Sequence, residues 1–172
     1  MFLNLIKDFF LKRIFKKNLH NVKNSSSLVP IQTVGLLLDE SYFFDKELLV
    51  KELFNYGILE NNIKIIVYKD KLKKSEDYLY PTFSGKNFNW KGDSTEPIVQ
   101  EFVNEKFDLL ISYYDVEKAV LLKMTHNSKA QFKVGLSAVD KRLNHLIIST
   151  NAENYKVFAH ELFRYLKILN KI

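Results

Sequence analysis

Three carboxylates follow closely on apolar runs: Asp39 after residues 34–38, Asp115 after 107–112 and Asp140 after 132–136. If those runs are parallel strands, their carboxyl ends form one rim, where paired carboxylates do acid–base work or hold a hard cation. Glu40 and Ser41 follow Asp39, and Tyr114 adjoins Asp115, so the rim would be polar as well as acidic. Asp and Asn at strand ends are also ordinary helix caps and turn residues, and that is the stronger reading of the three. His20, His126, His145 and His160 fall at no metal-ligand spacing and beside no nucleophile elbow, so no catalytic histidine and no metal site are expected.

The most distinctive stretch runs from Tyr80 to Asp93 and carries Phe83, Phe88, Trp90, two Gly and two Lys. It is too long for an ordinary connection, and loops of this kind carry function on a rigid scaffold. As a lid over the rim it would supply Thr82, Ser84, Lys86, Asn87 and Trp90 as ligand contacts beside Asp39, Tyr114 and Asp115. Ser84-Gly85-Lys86 fails the phosphate-loop pattern, which needs Gly where Tyr80 stands and Ser or Thr where Asn87 stands. Residues 39–42 lack the glycine-rich turn of a dinucleotide fold, so NAD and FAD are not expected and no cofactor is assigned. In the competing reading, Phe83, Phe88 and Trp90 plug the top of a sheet.

The elements that must position these residues alternate. Residues 33–38, 63–68, 107–112, 132–136 and 146–149 are β-branched, mostly apolar runs of strand length. Between and after them, residues 45–56, 94–106, 116–125 and 152–169 have helical spacing, the first capped by Asp45 and ended by Gly57. Alternation of this kind implies right-handed crossovers and a mostly parallel sheet covered on both faces. The expectation is a single three-layer α/β domain, Rossmann-like or flavodoxin-like, with about five strands, over residues 32–172.

Residues 24–31 read as a linker, beginning Asn24-Ser25-Ser26-Ser27, and residues 1–23 as a helical arm. The arm holds six cations against Asp8, a net of +5, whereas the other 149 residues carry only +1 of the chain's +6. Phe2, Leu3, Leu5, Ile6, Phe9 and Phe10 cluster on one side of such a helix. Leu11, Ile14, Phe15, Leu19 and Val22 fall nearly opposite, with Lys12, Arg13, Lys16 and Lys17 behind them. That pattern suits a kinked helix, a helix enclosed on both sides, or one packed on its own domain. Charge interrupts the arm at Lys7, Asp8, Lys12 and Arg13, which argues against a signal peptide. The strongest apolar run, 34–38, is far short of the roughly 20 residues of a membrane span. The absence of cysteine fits a reducing, cytoplasmic setting and excludes disulfide, Cys-metal and Cys-nucleophile chemistry.

The basic arm, Val34-Gly35-Leu36-Leu37-Leu38-Asp39, the 80–92 stretch and Phe107-Asp108-Leu109-Leu110-Ile111, with Ser128-Lys129-Ala130 and Val134-Gly135, together resemble an uncharacterised family of Bacteroidota proteins. That resemblance covers nearly the whole chain and implies no activity. Residues 107–137 with His160-Glu161-Leu162-Phe163-Arg164-Tyr165 are similar to the N-terminal Rossmann-like half of heptosyltransferase-type glycosyltransferases, over about a third of the chain. Such enzymes bind the sugar nucleotide mainly in a second domain, so the similarity implies the fold and argues against independent transferase activity.

The expected function is that of a non-catalytic binding or assembly protein held to a larger partner through Lys7, Lys12, Arg13, Lys16 and Lys17. The partner classes are RNA or a ribonucleoprotein, an anionic membrane surface, and a protein groove. The alternative is a small-ligand binder or enzyme, related to nucleotide-sugar glycosyltransferases, using the sheet's carboxyl edge and the 80–93 loop.

Overall fold

A computed structural model describes residues 2–22, 30–43, 45–73 and 75–172, with residues 2–5 as backbone. Of the linker expected over residues 24–31, residues 24–29 lie outside the described residues, and Ile31 N–H donates to Lys171 O at 2.8 Å. The elements in chain order are α1 (Phe2–Lys17), β1 (Val34–Asp39), α2 (Lys46–Asn55), β2 (Ile63–Tyr68), β3 (Thr82–Phe83), α3 (Pro97–Asn104), β4 (Leu109–Tyr113), α4 (Ala119–Asn127), β5 (Phe132–Leu136), β6 (Leu146–Ile148) and α5 (Tyr155–Ile168). The strands form one six-stranded sheet, every pairing parallel, in the order β3-β2-β1-β4-β5-β6. This is the Rossmann order, with its reversal between β1 and β4.

β1 is buried along its whole length, as a central parallel strand covered on both faces must be. Its side chains alternate. Leu36 and Leu38 join Leu49, Leu53, Phe158 and Leu162 on the face covered by α2 and α5. Leu37 joins Phe102, Leu110, Leu121 and Leu122 on the face covered by α3 and α4. The sixth strand, β3, is only two residues long and lies within the stretch read as a loop. α2 ends at Gly57, whose φ of +100° suits glycine. Asp45 precedes α2 without a side-chain capping bond, contrary to expectation.

α1 is one unbroken helix lying along α4. Leu11, Phe15 and Leu19 turn toward the body, and Leu19 is buried in the core of the α3 and α4 face. Asp8 accepts a hydrogen bond from the Ala119 backbone N–H at 2.7 Å, which supplies the first turn of α4 with a carboxylate from another element. The arm therefore packs on its own domain as one helix, and among its described side chains Phe9, Phe10 and Ile14 are uncovered.

Candidate functional site

In an open parallel sheet the crevice beyond the strands' carboxyl ends, at the point of reversal, is where ligands bind. Here Asp39 ends β1 at that point, and Lys118 precedes α4 across from it. The Lys118 ammonium lies 2.8 Å from Asp39 Oδ2 and 2.9 Å from Asp70 Oδ1. It also stands 4.4 Å from the Tyr68 ring centroid and 4.8 Å from that of Tyr42. Ser41 N–H donates to Asp39 Oδ1 at 2.9 Å, and Asp70 N–H donates to Ser41 Oγ at 3.1 Å, so the carboxylates are held in place. Tyr68 donates to Asp70 Oδ1 at 3.1 Å, and burial, reinforced by Asp70 and Asp39, pushes its phenol well above the ordinary tyrosine range. A buried ammonium between two carboxylates and two rings thus fills the crevice.

The other rim candidates are spread apart. Tyr114 is in the core, its hydroxyl 2.8 Å from Thr125 Oγ1, where burial raises its pKa. Asp115 accepts from Ala152 N–H at 3.0 Å, before α5. Asp140 pairs with Arg142 at 2.7 Å, and this hydrogen-bonded guanidinium holds its carboxyl below the usual range. Each of the three carboxylates thus serves a different local structure. No group of three or more His, Asp and Glu side chains among the described residues is arranged to hold a metal ion.

Within the 80–93 stretch, Phe83 and Phe88 are buried, and Phe83 packs between Phe88 and Tyr68, which closes that side of the sheet. Thr82 bonds its own chain at Tyr80 O, 2.7 Å away. Ser84 and Asn87 form a reciprocal cap on the short helical turn 85–87, and Asn87 reaches Glu96 at 3.0 Å. Lys86 is exposed. Trp90, by contrast, is 65% exposed at a turn completed by Gly92, which has φ +74°. Lys123 clamps this turn to α4 through Asp93 at 2.6 Å and Lys91 O at 2.7 Å. A cavity of about 430 Å³ opens between α3 and α4, away from the rim.

The arm's cations divide into two sets. Lys7 donates to Phe88 O at 2.5 Å, with its ammonium 5.7 Å from the Trp90 ring. Lys12 donates to Glu117 O at 2.9 Å, and Lys16 pairs with Glu117 at 2.5 Å and Asp140 at 3.9 Å. Arg13 and Lys17 are exposed, and with them Phe9 (57%), Phe10 (54%) and Ile14 (61%). The outward face of α1 is therefore apolar with two cations, a feature that sorting residues by charge alone misses. Lys118 was likewise absent from the candidates, because the sequence pattern places it inside a helix over 116–125, whereas α4 begins after it at Ala119. His160 is exposed on α5, its Nδ1 3.4 Å from the Tyr56 hydroxyl.

Fold and site together define an all-parallel α/β protein of Rossmann order whose crevice at the sheet's carboxyl edge holds its own lysine. The chain belongs to a family of unknown function, DUF6913, whose model matches residues 7–169. That match takes in most of α1 as well as the sheet. No curated protein and no solved structure matches the chain. No helix among the described residues is long and apolar enough to cross a membrane.

Proposed function

We propose that this protein is a non-catalytic binding protein that docks to a larger partner through the outward face of α1. The observation that carries this reading is the exposure of Phe9, Phe10 and Ile14 on one side of a helix whose other side is already engaged by its own domain. Three large apolar side chains grouped on one helix face are a costly surface for a monomer and mark an interaction site. Burying their exposed halves contributes about 1 kcal/mol each, a part of what reversible docking needs. The alternative of an enzyme working at the carboxyl edge loses support because Lys118 occupies the crevice and Phe83 and Phe88 fill the adjoining edge.

The test is fractionation of cell lysates. The full-length protein should travel with a larger fraction, and the Phe9→Ser/Phe10→Ser/Ile14→Ser variant should travel as the isolated chain. These positions are preferable to deletion of the arm, which would uncover α4 and remove the Asp8 cap. Equal migration of the two proteins overturns the reading.

A further inference from the structure

We infer that the partner of this face is an anionic lipid surface, and that Trp90 is part of the docking site. The inference rests on the docking reading above and names the partner. Phe10, Arg13, Ile14 and Lys17, at positions i, i+3, i+4 and i+7, share the exposed side of α1, and Phe9 borders them. The Phe9 and Phe10 rings meet edge to face at 5.7 Å. Lys7 lies one turn before Phe10 and carries Trp90 beside it. The 90–91 turn therefore extends the ridge with an exposed indole and the exposed Lys91. An indole and phenylalanines flanked by cations are the composition of an interfacial helix, whose rings enter the headgroup boundary while its cations meet lipid phosphates.

Charge complementarity selects the sign of the surface. Arg13, Lys17 and Lys91 are exposed on this ridge, whereas Asp8 faces α4 and Asp93 is paired with Lys123. Geometry selects lipid over RNA. Lys7, Lys12 and Lys16 are committed to Phe88 O, Glu117 and Asp140, so α1 presents only two cations outward, too few for a phosphate-tracking helix. A ridge already seated on its own domain also suits a planar surface better than a deep groove.

The experiment uses the full-length protein with vesicles of phosphatidylcholine alone and of equal parts phosphatidylcholine and phosphatidylglycerol. Flotation and the emission of Trp90, the only tryptophan, are the readouts. The protein should float with the anionic vesicles and not with the neutral ones, and its emission should shift to the blue. Phe9→Ser/Phe10→Ser/Ile14→Ser should weaken partitioning at least about tenfold. Arg13→Gln/Lys17→Gln should weaken it about fivefold per charge, and added salt should do likewise. Absence of flotation at low salt overturns the inference, as does flotation unchanged in either variant. So does retention of a single-stranded RNA that Arg13→Gln/Lys17→Gln releases, in the absence of vesicle binding. If vesicles fail while lysate fractionation still depends on Phe9, Phe10 and Ile14, the docking face stands and its partner is not lipid.

Discussion

Lys133 is an odd residue to find inside a parallel sheet. It is the second residue of β5, buried, and its ammonium donates to Thr125 O at 2.7 Å and His126 O at 2.9 Å in the last turn of α4. Those carbonyls have no partner within the helix, and the cation also meets the negative end of the helix dipole. Burial, with Lys129 adding repulsion, lowers its pKa to about 8. Below about pH 8 both folded and unfolded chains hold this proton, and the group contributes no pH dependence. Between there and the unfolded value of about 10.4 the unfolded chain binds the proton more tightly, so stability rises with pH, by roughly 3 kcal/mol at most. Above about pH 10 the buried Tyr113 and Tyr114, whose phenols are raised, pull the other way. Thermal melts from pH 7.5 to 9.5 should show Tm rising in the wild type and flat in Lys133→Met; parallel curves would refute this role. Phe132-Lys133-Val134-Gly135-Leu136 was legible as a strand, but the role of its lysine was not. Its partners were not legible, because they are backbone atoms of another element.

At the scale of elements, the strand and helix pattern in the sequence placed all five helices and five of the six strands, since each carries its own periodicity. β3 escaped because two residues carry no period, and its pairing with Val67 and Tyr68 is tertiary. α1 was legible as a helix, but its orientation was not. Two apolar stripes compete, and polar contacts decide between them: Asp8 on the Ala119 N–H, Lys12 on Glu117 O and Lys16 on Glu117 and Asp140. Charge that reads in sequence as a partner-binding excess is thus partly the fastening of α1. Asp8→Ala should cost about 1 kcal/mol as a lost cap and lower the hydrogen-exchange protection of both α1 and the start of α4. Loss confined to α1 would show that the carboxylate does not cap α4.

For the whole molecule, topology decides what the crevice holds. The reversal between β1 and β4 opens the sheet's carboxyl edge at Asp39, and chain order delivers Lys118 there at the start of α4. Neither fact is local, which explains why Asp39 was legible as a candidate and its partner was not. The ion pair is nearly dry, with Asp39 buried and Lys118 flanked by the Tyr42 and Tyr68 rings. Removing one member of such a pair strands the other's charge and typically costs about 3–5 kcal/mol. Lys118→Ala should therefore lower Tm sharply while opening a cage of two carboxylates and two rings that fits a small ammonium ion. Millimolar methylammonium should restore part of that loss in Lys118→Ala and leave the wild type unchanged. Lys118→Met fills the same space without charge and should be as unstable as Lys118→Ala but deaf to methylammonium. If methylammonium raises Tm equally in all three proteins, the ammonium does not occupy the crevice, and Lys118 contributes there through packing alone.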